Sequence, residues 1–189
     1  MSDIGITREE AIDLLKENLR NENLIKHCLA TEAIMRLLAK RLGEDEELWG
    51  IAGLLHDLDF EKTKDSPSEH TLIAERILRE RGVTEEVISA IKSHNAEGLG
   101  LERAGRFEHL LAAAETITGL IVAAALVRPD KRLAGLKPKS IRKRMKEKAF
   151  ARAVRREVIA ECEEAGLGLD EFIGISLEAM QGISDKLGL

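Results

Sequence analysis

The chain has no tyrosine, one tryptophan, four phenylalanines, three prolines and two cysteines in 189 residues. So few aromatic residues, beside a composition dominated by Leu, Ala, Ile, Glu, Lys and Arg, argue against a sheet-rich fold. They also leave no interleaved rings on which nucleic-acid bases could stack. Three prolines leave long stretches free to be helical. Cys28 and Cys162 lie far apart, show no metal-ligand spacing and each fall in an apolar helical pattern, which excludes a disulfide framework and reads as reduced structural thiols. The first residues, Met1-Ser2-Asp3-Ile4-Gly5, carry no basic stretch followed by an apolar one, so no secretion signal is read there and a cytoplasmic location is expected.

What is present favours helix. Hydrophobic residues make up 44% and charged ones 33%, enough to bury a core and keep a polar surface. Residues 110–127 are the longest apolar run, 18 residues with Glu115 as the single charge. That length is at the short limit for a membrane span, and Glu115, Thr116 and Thr118 near its middle make a buried core helix the better reading.

Thr7-Arg8-Glu9-Glu10 is a capping box opening a helix to about Arg20. A second helix follows to Leu42 with Gly43 as its stop, and His27 shares a face with Leu24, Thr31, Ile34 and Leu38. A third runs from about Asp45 to His56, with His56 on the side of Trp49 and Ala52. Residues 58–65 read as a polar loop. Ser66-Pro67-Ser68-Glu69 signals a fourth helix with His70 in its first turn, and Thr84-Glu85-Glu86 a fifth that ends at His94. Residues 95–105 read as irregular, followed by the apolar helix, which stops before Pro129. Two further helices, about 150–165 and 170–187, complete an all-α reading. Residues 1–127 are expected to form a helical core, and 128–189 a basic segment with C-terminal helices packed on it.

The basic segment, residues 128–156, holds 13 Lys or Arg against Asp130 and Glu147, a net of +11, so the rest of the chain carries −16. Electrostatic docking on that acidic remainder, or on that of a second subunit in a homodimer, is the first reading. Attraction of an anionic substrate comes second, and nucleic acid last for want of aromatics.

Four histidines, His27, His56, His70 and His94, fall at or near inward helix ends, with Asp57 beside His56. An unpartnered Glu115 in an apolar helix would cost several kcal/mol, so it is neutral or partnered, by a cation shared with histidines or by Thr118 or an Arg.

The order His27, His56-Asp57, His70, His94, Glu115 resembles the HD-domain superfamily of metal-dependent phosphohydrolases, whose signature is a His, a His-Asp pair and a late Asp. The resemblance spans about residues 23–127 and implies an HD-domain helical bundle with a C-terminal extension. It implies His27, His56 and Asp57 as metal ligands with Glu115 at the late position. His70 and His94 match the additional histidines of two-metal members, in which Asp57 bridges the ions. Fe, Mn, Co, Ni or Zn suits such donors, and Mg fits four imidazoles poorly.

Two features depart from that pattern. Glu115 replaces the usual Asp, lengthening the reach by about 1.5 Å. The pair is followed by Leu58-Asp59-Phe60-Glu61 rather than Ile-Gly-Lys, which puts Asp59 and Glu61 forward as proton donor or base. His109 lies outside the pattern. The implied activity is hydrolysis of a phosphate ester, of a nucleotide or another small phosphorylated metabolite. A di-iron oxygenase with the same ligand order and a non-catalytic binding module are the alternatives.

Overall fold

The computed structural model describes residues 4–189, all-helical with no strand among them. The chain runs α1 (Arg8–Asn18), α2 (Glu22–Leu42), α3 (Glu46–Leu55), α4 (Phe60–Thr63), α5 (Leu72–Glu80), α6 (Glu85–His94), α7 (Ala96–Leu99), α8 (Arg106–Leu126), α9 (Pro138–Lys146), α10 (Arg156–Ala160), α11 (Leu169–Gly182) and α12 (Ser184–Leu187).

Local chemistry places the first helices as the sequence suggests. Thr7 Oγ1 accepts from the Glu10 N–H at 3.3 Å, and the Glu10 carboxylate accepts from the Thr7 N–H at 2.8 Å. Gly43 ends α2 at φ +76°, a left-handed conformation that costs glycine little. Asp45 caps α3 through the N–H groups of Glu47 and Leu48.

Helices α2 and α3 pack face to face because α3 presents Gly53. A Cβ there would lie 2.9 Å from the Thr31 carbonyl oxygen and 3.0 Å from Glu32 Cα. Ile34, Met35 and Leu38 of α2 and Ile51, Leu54 and Leu55 of α3 are fully buried around that contact. Beside it, buried Glu32 accepts from Arg8 and Arg36, and Arg36 reaches on to Glu47, so one charge network ties α1, α2 and α3.

Helix α8 runs against α2, α3, α6, α9, α10 and α11. By length and composition it could cross a membrane, yet 67% of its apolar window is buried by the other helices, as suits a core helix. Trp49 of α3 stacks on Phe107 of α8, ring centroids 4.9 Å apart. The C-terminal helices join the same core through Ile159, Phe172, Leu177 and Met180.

Several boundaries differ from the sequence reading. The polar stretch 58–65 contains the one-turn helix α4, and 95–105 contains α7. The fourth helix begins at Leu72, not at Ser66, because side chains from elsewhere intercept its first hydrogen bonds. Asn95 Nδ2 donates to the carbonyls of Pro67 and His70, and the Asp59 carboxylate accepts from the N–H groups of Thr71 and Ala74. Those are the groups that would have paired as 67→71 and 70→74 in a continuous helix. Thr71 sits instead at φ +77°, a strained setting for a β-branched residue.

The helix expected over 150–165 is cut to α10 in a similar way. Arg156 donates to the carbonyls of Glu147, Phe150, Ala151 and Val154, and Ala151 turns to φ +44°. Pro138 at the first turn opens α9 inside the basic segment, where the sequence reading placed no helix.

Candidate metal centre

His27 projects from the first third of α2, His56 stands at the C-terminal end of α3, Asp57 follows it, His70 sits in the turns before α5, and His94 is the last residue of α6. The fold brings all five to one point as two sets of donor atoms, His27-His56-Asp57 and Asp57-His70-His94, each within 4.8 Å.

In the first set His27 Nε2 and His56 Nε2 are 3.0 Å apart, and each is 3.6 Å from Asp57 Oδ2. In the second His70 Nε2 and His94 Nε2 are 3.1 Å apart, at 3.3 and 3.6 Å from Asp57 Oδ1. Ligands about 2.1 Å from one ion are spaced by about 3.0 Å at octahedral and about 3.4 Å at tetrahedral angles. The histidine pairs fit that spacing and the carboxylate lies at or about 0.2 Å beyond it, so the two triangles share one carboxylate, each using a different oxygen.

The outer ring nitrogens decide what the inner ones present. His56 Nδ1 donates to the Gly53 carbonyl at 2.9 Å, and His94 Nδ1 to the Ile91 carbonyl at 2.5 Å. His70 Nδ1 donates to Asp59 Oδ1 at 2.8 Å. Thr118 gives its hydroxyl proton to the Glu115 carbonyl at 2.6 Å, so it accepts from His27 Nδ1 at 2.8 Å. In the neutral rings every Nε2 is therefore a bare lone pair aimed at an anionic carboxylate. Bare acceptors facing one another at 3.0 Å repel, and a cation between them converts that repulsion into ligation.

The electrostatics agree. Burial pushes His56 down to about 3, which keeps it neutral. Burial opposes ionisation of Asp57, but His56, His70, His94 and His27 together hold its carboxyl well below the usual range. His70 feels the same burial, outweighed by Asp57 and Asp59, which raise it to about 9.

Asp59 and Glu61 were expected near the reacting atoms and are committed elsewhere. Asp59 is fully buried and divides its oxygens among His70, Thr71 and Ala74, behind the cluster. Glu61 accepts from the backbone N–H groups of Arg20 and Asn21 at the start of α2. Glu115 belongs to neither donor set. Its carboxylate accepts from Thr116, and burial raises its pKa against the pull of His27 and His94. It lines a cavity of about 340 Å³ with His27, Thr116 and Arg155.

Lys92 pairs with Glu75 and His109 with Glu161, so neither joins the cluster. Arg103 escaped the sequence reading. Its side chain, 5% exposed, donates to the Ser93 and His94 carbonyls at the end of α6 and pairs with Glu97 and Glu161. A lone arginine in a glycine-containing loop carries no pattern by which it could have been found.

The HD domain family model matches residues 24–126. An uncharacterized protein of Methanocaldococcus jannaschii is 35% identical over 101 residues, covering 51% of this chain and 58% of that one. Ribonuclease Y of Sulfurovum sp. (strain NBC37-1) is 28% identical over 170 residues, 88% of this chain but 33% of that enzyme. Ribonuclease Y of Aquifex aeolicus is 34% identical over 77 residues, 41% of this chain and 14% of the enzyme. The chain thus spans less than two thirds of each of these relatives. No solved structure matches.

Proposed function

Because the chain belongs to the HD domain family, in which metal-dependent phosphohydrolases are found, we propose that it hydrolyses a phosphate ester at a two-ion centre. The observation that carries this reading is Asp57, which offers one oxygen to each histidine pair. His27, His56 and Asp57 would hold one ion, Asp57, His70 and His94 the other, and Glu115 is assigned as the remaining ligand in the late position. Fe, Mn, Co, Ni or Zn suits these donors. When bound, such ions would lower the pKa of a water towards neutrality and offset the charge on the phosphoryl oxygens.

The chain's own residues do the rest. His56, neutral through burial, and Asp57, held ionised, keep the centre anionic and ready for cations. Asp59 orients His70 through Nδ1. Arg155 stands at the cavity beside His27 and Glu115, where a guanidinium complements a phosphate. The basic segment thus contributes to the mouth of the centre, while its Arg142 pairs with Asp170 and its Arg155 with Glu97 of the same chain.

The Ribonuclease Y relatives favour a second reading, a phosphodiester in RNA as the substrate. Elemental analysis with p-nitrophenol release from p-nitrophenyl phosphate and bis(p-nitrophenyl) phosphate separates the two. Two bound ions with monoester turnover supports the first, and turnover of the diester alone supports the second. A metal-loaded protein that consumes oxygen and hydrolyses neither ester refutes both in favour of the oxygenase.

A further inference from the structure

His27, Thr118 and Gly119 form walls of two cavities at once. The first, about 340 Å³, is the polar one beside Glu115, Thr116 and Arg155. The second, about 460 Å³, is lined by Ala30, Val122, Leu126, Met180 and Leu187 together with Lys26, Asn23 and Thr118. No Phe, Tyr or Trp lines either cavity, and the one ring on their walls, His27, is turned to Thr118 and His56. Where they join, Gly119 is exposed, and a Cβ on it would meet Val154 Cγ2 at 3.3 Å. A side chain at this shared position would intrude between the two adjacent chambers, and glycine leaves that space free.

Resting on the hydrolase reading above, we infer that the two chambers accept one substrate, the phosphate ester of an apolar, non-aromatic alcohol. The phosphoryl group lies in the first chamber, between the metal ligands and Arg155, and the alkyl part lies in the second. Arg155 gives Nη1 to Glu97 at 3.3 Å and remains more than a third exposed, which leaves guanidinium N–H groups for an anion. Lys26 adds a second positive charge to the lining of the apolar chamber.

The walls discriminate among phosphate esters. A nucleotide would bring a base that seeks a stacking ring and edge hydrogen bonds, and the second chamber offers only His27 and Thr118, whose polar atoms are already engaged, with Asn23 and Lys26. A sugar phosphate would bury several hydroxyls against Val122, Leu126, Met180 and Leu187, with Asn23 and Lys26 as their few partners, a penalty for each one left unpaired. An alkyl chain loses nothing there, and the volume is that of a small-molecule site. In the reaction a water oxygen bonds to phosphorus and the P–O bond to the alkyl group breaks. One water proton ends on the alcohol oxygen and the other on the phosphate.

The test uses the metal-loaded full chain and a series of methyl-, butyl- and octylphosphonate, which bind without reacting, with AMP as comparator. Calorimetry should show affinity rising about 3- to 4-fold per methylene until the chamber is full. Octylphosphonate should bind more tightly than AMP. Val122→Asp should cut the octyl-to-methyl affinity ratio at least 10-fold. Leu126→Asp, at the exposed edge of the same wall, repeats the test if Val122→Asp does not fold. Val127→Asp, 60% exposed and outside both cavities, should keep the ratio. A flat series, or AMP binding more tightly than octylphosphonate, overturns the inference. If the slope is present and none of the corresponding alkyl phosphates is hydrolysed, the hydrolase reading fails while the chamber stands. Equal hydrolysis of methyl phosphate and AMP with no slope removes the chamber alone.

Discussion

Asp59 and His70 are 11 positions apart in the chain and 2.8 Å apart in the fold, Oδ1 to Nδ1. The same carboxylate accepts from Ala74 N–H at 2.9 Å, so it caps α5 from a distance while it orients a metal-facing imidazole. Helix start and ring orientation therefore share one side chain.

Asp59→Asn tests that coupling. An amide offers one acceptor where the carboxylate offers two, so either His70 or a cap N–H loses its partner. The expected cost is about 1–3 kcal/mol of stability. Metal stoichiometry should fall from two towards one, because His70 serves only the second donor set. Thermal unfolding and elemental analysis on the same sample check both.

The donor sets predict graded metal loss. Asp57→Ala should abolish metal retention because the shared carboxylate is gone, whereas His56→Ala should leave the ion of the second set, since His56 serves only the first. His94→Ala should leave one ion. Circular dichroism should report largely unchanged helix content in all three. Full stoichiometry in Asp57→Ala would refute the bridging assignment.

Gly53→Ala should disturb the centre from outside it. The added methyl meets the Thr31 carbonyl and the Glu32 backbone at about 3 Å, neither of which can swing away. Separating α2 from α3 should cost about 1–3 kcal/mol. It also moves the carbonyl that orients His56, so metal affinity should drop even where the variant remains folded. Chemical denaturation and a competition titration with a chelator measure the two effects.

Acid should loosen the Arg103 cluster. Burial opposes the Glu97 charge, but Arg103 and Arg155 outweigh it and lower its pKa from 4.5 to about 2. A depressed carboxylate pKa gives stability that is present above 4.5 and lost as pH falls towards 2. In metal-free protein the stability gap between wild type and Glu97→Gln should be widest above pH 5 and close near pH 2. Denaturation across that range measures it.

Both thiols should be silent in the folded chain. Cys28 and Cys162 are buried, and burial raises the first well above its ordinary value and the second to about 12. A thiol reagent near neutral pH should react with neither until denaturant is added, and then with both.

The local sequence is enough for α1, α2 and α3, because their start and stop signals act within one turn. Thr7 with Glu10, Asp45 with Leu48 and Gly43 each complete their job among near neighbours. The ligand set is also legible in residue order, since a buried polar cluster needs particular residue types at helix ends.

What the sequence could not decide is where distant side chains overrule local preference. Ser66-Pro67-Ser68-Glu69 has the signs of a helix start, yet Asn95 and Asp59 take the carbonyls and N–H groups that helix would have used. Arg156 does the same to residues 147–154, and Arg103 secures the end of α6 from a loop. Asp59 and Glu61 looked like spare carboxylates beside the His56-Asp57 pair, and only packing shows that backbone N–H groups claim both. Composition and periodicity act over a few residues and set the helices and the donor types. A hydrogen bond between residues dozens of positions apart exists only once the chain is closed, and such bonds decide where His70 points.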